Sequence, residues 1–236
     1  MEKREVLDRL RGGLIVSCQA APQEPLFGSS IMAAMADAAF RGGAAGIRAN
    51  SAQDIRAIRK KVPLPVIGLS KKSYPDSEVY ITPLFQDVSE IAAAGADIVA
   101  LDATDRMRPC GEKLEDIVRH TRKAFPGLLL MADCATFEDG MAAAALGFDF
   151  IGTTLCGYTA ATQGTPLPNF SLIENLSLRC GTPVIAEGGI WTPEELENAI
   201  RLGAFAAVVG TAITRPQEIT KRFTAGLKAA SQQAGL

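Results

Sequence analysis

Short apolar runs recur along the chain at residues 14–18, 45–48, 66–69, 97–101, 128–132, 148–152, 184–186 and 206–209, eight in all. Each run is continuous rather than alternating, the pattern of a parallel strand covered on both faces. Between them lie amphipathic stretches of roughly 10 to 15 residues, the spacing of βαβ units. Another amphipathic stretch, MEKREVLDRLRGG, precedes the first run and predicts an N-terminal helix.

The segments repeat in pairs. Gly43, Gly95, Gly147 and Gly203 each end a helical stretch and precede an apolar run, at spacings of 52, 52 and 56 residues. Glycine at that position supplies the left-handed conformation that closes a helix. The alternate runs carry another marker, with Gly13, Pro65, Gly127 or Pro183 just ahead of them. Four pairs of βα units predict a single-domain α/β TIM (β/α)8 barrel with an N-terminal helix, spanning 1–236 without a linker, in preference to a doubly wound sheet. The polar insertion 74–83 after the third run is longer than the other connections and is expected to border the barrel mouth.

Composition narrows the function. A formal charge of −2 with no block of Lys or Arg excludes a nucleic-acid or anionic-membrane footprint. The N-terminus lacks the apolar core of a secretory signal, and no apolar run approaches the ~20 residues of a membrane span. Five cysteines, Cys18, Cys110, Cys134, Cys156 and Cys180, are odd in number and form no Cys-x-x-Cys pair, which points to reduced thiols in the cytoplasm. Cys18, Cys134 and Cys156 follow apolar runs, so a nucleophile among them is weighed against the ordinary role of buried cysteine as a small hydrophobe. The apolar Phe223, Leu227 and Leu236 suggest a helix face that meets a second copy, a homodimer being the commonest arrangement.

Active sites of such barrels lie at the C-terminal ends of the strands. In order, those positions hold Gln19, Arg48, Lys71, Asp102, Asp133, Thr153 with Thr154, Glu187, and Gly210 with Thr211. Lys71 and Lys72 offer a reactive amine and Glu187 an acid. A lysine acts as a base only when neutral, and a second ammonium at Lys72 is a candidate for lowering the pKa of Lys71, although neighbours on a strand point to opposite sides. Gly188, Gly189 and Gly210 allow backbone amides to approach an anion, and Thr192-Pro193-Glu194-Glu195 opens the next helix as a capping box. Arg215 is placed to add a charged contact to a phosphate. His120, the only histidine, falls on a polar helix face. The carboxylate pairs Asp102 with Asp105 and Asp133 with Glu187 are a weak cation signal, and no GxGxxG follows the first run; neither a metal nor a cofactor is expected.

With these residues in view, the chain resembles the N-acylglucosamine-6-phosphate 2-epimerases, also called N-acetylmannosamine-6-phosphate epimerases, of bacterial sialic acid catabolism. The resemblance runs through nearly the whole length. It rests on 13–20 (GLIVSCQA), Lys71 with 74–83 (YPDSEVYITP), Gly152-Thr153-Thr154 with Gly157-Tyr158-Thr159, Ala186-Glu187-Gly188 and 212–216 (AITRP). It implies Lys71 as catalytic base with Glu187 as acidic partner. It further implies substrate contacts at Gln19, Arg48, Asp133, Tyr158 and Thr159, and a phosphate end at Gly188, Gly189, Gly210, Thr211 and Arg215. Lys72 stands where the family commonly has arginine, Cys156 where it has serine, and Gly189 where a basic residue often follows, which leaves Arg215 more of the phosphate contact. The implied reaction inverts C2 of an amino sugar phosphate by removing and returning a proton. The competing expectations are a Schiff-base lysine of the aldolase type on the same fold, a phosphate-binding barrel of amino-acid or thiamine biosynthesis, and a non-catalytic phosphosugar-binding barrel.

Overall fold

The computed structural model describes residues 1–234. Its strands are β1 (Leu14–Cys18), β2 (Gly46–Asn50), β3 (Val66–Leu69), β4 (Ile98–Asp102), β5 (Leu129–Asp133), β6 (Phe150–Gly152), β7 (Val184–Glu187) and β8 (Ala206–Val209). Each pairs in parallel with its sequence neighbour, and β8 returns to β1, closing a TIM barrel as expected. Gly43, Gly95, Gly147 and Gly203 all take positive φ, between 83° and 99°, where the sequence places helix ends.

Side chains alternate along each strand, so one parity faces the barrel axis and the other the helices. The axial parity is Ile15, Ile67, Leu69, Ile98, Ala100, Leu129, Met131, Phe150, Ile185, Ala206 and Val208, which form one buried cluster. Helix α1 (Lys3–Leu10) adds Val6, Leu7 and Leu10 to that cluster and so plugs the N-terminal end of the barrel. The opposite parity, including Ile47, Ala49, Val66, Val99, Leu101, Leu130, Ala132 and Ile151, packs under helices in a second cluster. There α2 (Ser29–Arg41) and α3 (Ala52–Arg59) contribute Met32, Ala36, Ile55 and Ile58.

Four of the expected strands begin one or two residues later, β2, β4, β5 and β6, and ahead of two of these an aspartate staples the preceding strand. Asp97 and Asp149 precede β4 and β6, and their carboxylates accept bonds from the backbone N–H of Val66 and Leu130 on the preceding strands, each at 2.9 Å. Arg59 and Arg122 then pair with these aspartates at 3.0 and 2.8 Å. The two residues thus add side-chain staples to their backbone bonds, in which Asp97 N–H donates to Val66 O at 3.0 Å and Asp149 N–H to Leu130 O at 2.9 Å. Helix α4 (Phe85–Ala93) follows the long insertion, and α5 (Leu114–Ala124) carries an exposed His120 edge-on to Phe85. Helices α6 (Phe137–Ala145), α7 (Phe170–Arg179) and α8 (Pro193–Arg201) complete the outer ring. The capping box at α8 forms as its sequence requires, Thr192 and Glu195 exchanging backbone-to-side-chain bonds of 3.1 and 3.2 Å. A short α9 (Thr211–Thr214) and a long α10 (Pro216–Ala234) end the described chain.

Candidate active site

Extending the axial parity beyond each strand selects the residues that face the mouth. From Ile15 it runs through Ser17 to Gln19, from Leu69 to Lys71, from Met131 to Asp133 and from Ile185 to Glu187. On β2 it reaches Arg48, so an arginine occupies a layer that the other strands fill with apolar groups. The guanidinium is 1% exposed. Burial alone would favour its neutral form, but the two carboxylates it meets outweigh that effect and hold it charged. Both terminal nitrogens bind Asp133, at 3.1 and 2.6 Å, and Nη1 also lies 3.1 Å from Glu187. Thr154, on the axial parity of β6, lies 2.7 Å from Asp133 Oδ1 and 3.1 Å from Glu187 Oε2, with one hydroxyl proton to share between them. Thr153 braces Glu187 from below, its Oγ1 exchanging bonds of 2.8 and 2.9 Å with the Glu187 backbone.

Lys71 stands above this cluster. Its backbone N–H donates to Asn50 Oδ1 at 2.8 Å, which ties the residue to the end of β2. Its side chain is open to the mouth, yet the concave wall strips bulk water from the ammonium. Its pKa falls below that of an ordinary lysine, first through this desolvation and next through repulsion from Arg48; Glu187 and Asp133 oppose the shift, and Arg215 adds to it. Among the described residues no carboxylate comes within ion-pair distance of the Lys71 Nζ, since Asp133 and Glu187 are engaged by Arg48. Glu187 is displaced the other way. Desolvation raises its pKa, against the attraction of Arg48, while Asp133 pushes in the same direction as burial.

Lys72 does not play the part the sequence offered it. Its parity turns it outward, where it pairs with Asp87 and with Glu90 at 3.3 Å, and the bond to Asp87 raises its own pKa. The cation that depresses Lys71 most is Arg48. The cysteines also face elsewhere: Cys18 belongs to the outer cluster, and burial pushes its thiol up to about 12. Cys134 is raised by the same cause.

The insertion does more than border the mouth. Strands β3 and β4 share only two register positions, and Ile81 and Thr82 enter the gap above them. Thr82 N–H donates to Ser70 O at 2.7 Å, and Asp102 N–H donates to Ile81 O at 3.0 Å. Thr82, fully buried at φ 46°, also sends its hydroxyl to Ala100 O at 2.6 Å. Arg106 clamps the outer part by binding Asp102 at 2.6 Å and Glu78 O at 3.3 Å. This arrangement brings in Tyr80, which the sequence reading left without a role. Its ring packs on the axial cluster, and its phenol is kept protonated by burial and by the charges of Asp133 and Asp102. An aromatic one residue before an inward-turning apolar position was the available signal.

The other expected residues distribute unevenly. Gln19 donates to Ser17 Oγ at 3.0 Å, while its buried Oε1 has no partner among the described residues. Gly210 and Thr211 join β8 to α9, beside Ser17. Arg215 follows α9 and pairs with Glu24. Gly188 lies open at φ 113°, but Gly189 is explained by packing: at φ 73°, a Cβ there would stand 2.4 Å from Leu167 Cβ. Tyr158 is exposed in the loop after β6, and Thr159 is buried with its hydroxyl 2.8 Å from Thr162 Oγ1; neither bonds to the Arg48 cluster. Among the described residues no group of three or more His, Cys, Asp or Glu side chains is arranged to hold a metal. Arg106 engages Asp102 and Arg48 lies between Asp133 and Glu187. The mouth therefore joins a depressed lysine, a raised carboxyl and a fixed guanidinium, a set able to move a proton and stabilise a developing oxyanion.

A family model described as "Putative N-acetylmannosamine-6-phosphate epimerase" matches residues 32–229. The chain belongs to this family. A relative from Listeria welshimeri, named "Putative N-acetylmannosamine-6-phosphate 2-epimerase", is 53% identical over 225 residues, 94% of this chain and 95% of its own. The solved N-acetylmannosamine-6-phosphate 2-epimerase from Clostridium perfringens superposes with a TM-score of 0.90 at 50% identity, covering 93% of this chain and 95% of that one. Thiamine phosphate pyrophosphorylase from Pyrococcus furiosus, at 15% identity and a TM-score of 0.59, shares the fold alone.

Proposed function

We propose that this epimerase-family chain inverts C2 of N-acetylmannosamine 6-phosphate to give N-acetylglucosamine 6-phosphate, in the cytoplasmic breakdown of sialic acids. The observation that carries the reading is the inward-turned Lys71, its proton affinity lowered by burial beside Arg48. In the ring-opened sugar the C1 carbonyl acidifies the proton on C2. Neutral Lys71 removes that proton, the electron pair moves into the C1–C2 bond, and the carbonyl becomes an enolate oxygen. Arg48, rigidly held by Asp133, faces that charge; one such donor is worth roughly 3 to 4 kcal/mol to the transition state. A proton then returns to the opposite face. Glu187, raised toward the protonated form, is suited to carry it. Gln19, Asp133, Tyr158 and Thr159 surround the sugar in this reading. Gly188, Gly189, Gly210 and Thr211 line the phosphate end, and Arg215 provides its cation.

A coupled assay for interconversion of the two hexosamine phosphates tests the proposal, and turnover in heavy water should place deuterium at C2. Absence of interconversion overturns the reading. A Schiff-base lysine is separated by borohydride, which traps an adduct only if an imine forms.

We further propose a homodimer through α10. Phe223 and Leu227 are 77% and 68% exposed, beside a groove of about 840 Å³ lined also by Trp191, Ala212 and Ile219. An apolar face of this kind is covered most simply by its own copy. Leu236, expected to join it, lies outside the described residues. Sedimentation of the chain and of Phe223→Glu should give a dimer and a monomer, respectively.

A further inference from the structure

We infer that Glu24 is the resident counter-ion of Arg215, a carboxylate that holds the guanidinium until a phosphate takes its place. The inference rests on reading the mouth as a phosphosugar site.

The two residues are 191 positions apart and meet because the barrel closes between β8 and β1. That seam is tight. Thr214 Oγ1 donates to Ser17 O at 2.7 Å, and a Cβ on Gly210 would stand only 3.2 Å from Ser17 Cβ. Arg215 is therefore carried on a fixed edge. Glu24 is not on an edge but in the loop joining β1 to α2, within a turn made by Glu24 N–H donating to Ala21 O at 2.9 Å and Phe27 N–H donating to Glu24 O at 3.0 Å. The two bonds close successive turns, 21–24 and 24–27, and Pro22 and Pro25 hold their second positions, which fixes the backbone on either side of Glu24.

Charge balance gives the pair its purpose. Arg48 is neutralised by Asp133 and Glu187, whereas Lys71 and Arg215 share the mouth with no partner in that cluster. Glu24 neutralises one of them. The pair is half open, with side chains 39% and 21% exposed, so water already competes for it and it is cheaply broken. A phosphate offers up to two charges and a matched pair of acceptor oxygens to the same guanidinium, a stronger contact than one carboxylate. Phosphate and Glu24 thus compete for Arg215, and ligand entry releases the loop that begins at Gln19.

The test uses the full chain with inorganic phosphate as probe. Titration calorimetry is compared between the parent and Glu24→Gln, and hydrogen exchange of amides 20–27 is followed in the parent with and without phosphate. Removal of the competitor should tighten phosphate about twofold to fivefold, the range set by the weakness of a half-exposed pair. Phosphate should also speed exchange across 20–27 in the parent, a readout that needs no variant. Equal or weaker binding by Glu24→Gln, no phosphate binding in either protein, or slower loop exchange on adding phosphate would each overturn the inference. Failure of epimerase activity alone would remove the proposed reaction and leave this exchange of anions standing.

Discussion

Arg48 and Asp133 form a two-pronged ion pair, 3.1 and 2.6 Å long, with neither side chain more than 1% exposed. Such a pair contributes geometry more than stability, because the cost of dehydrating both ions offsets most of their attraction. Breaking it is another matter. Asp133→Leu leaves a buried guanidinium with only Glu187, and should cost about 3 to 5 kcal/mol of stability in denaturant titrations as well as nearly all activity. Arg48→Lys keeps the charge but not the fork, and should lose kcat more than it loses fold.

Lys71→Ala should abolish epimerisation while leaving affinity for the hexosamine phosphates within about tenfold, since proton transfer is lost and uniform binding is not. In the parent, the acid limb of kcat should lie below the ordinary lysine value of 10.5. Near-parental turnover by the variant would remove Lys71 from the chemistry.

Glu187 gives a stability signature. Its folded pKa is raised above the unfolded 4.5, so between those two values the native state binds more protons than the unfolded chain. Its contribution is fully present below 4.5 and is lost as pH rises through the folded pKa. Denaturant midpoints of the parent should therefore fall relative to those of Glu187→Gln across that window, and parallel profiles would contradict the assignment.

Tyr80→Phe keeps the ring packed and removes one neutral donor from the mouth. Unchanged melting temperature with kcat/KM reduced about tenfold or more is expected, within the range that loss of one transition-state donor produces. A change below twofold would make Tyr80 a wall and nothing else.

Gly189→Arg adds a cation beside Glu187, but at φ 73° and 2.4 Å from Leu167 Cβ the position has no room for a Cβ. Its effect should be destabilisation of about 1 to 3 kcal/mol, read from thermal melts, rather than tighter phosphosugar binding.

The barrel was legible because its signals are local: an apolar run, a glycine at the helix end, a repeat. All eight strands fall where those signals stand; four begin one or two residues late, and at two of these, β4 and β6, the staples of Asp97 and Asp149 depend on a neighbouring strand that no local pattern records. The site was legible where parity could be carried forward, from Ile67 and Leu69 to Lys71 and away from Lys72. Glu24 and Arg106 were invisible for the opposite reason, and Tyr80 was marked only by its place before Ile81. Their roles depend on which loops meet across the mouth, a property of closure between distant segments.

The insertion at Ile81 and Thr82 has a mechanical consequence. Strands β3 and β4 pair over only two positions, and a borrowed rung fills the space above them. The amine is thus mounted beside a spliced joint of the cylinder. A substitution at Arg106, which binds Asp102 and Glu78 O, should loosen that splice beside Lys71 while the rest of the staves stay hooped.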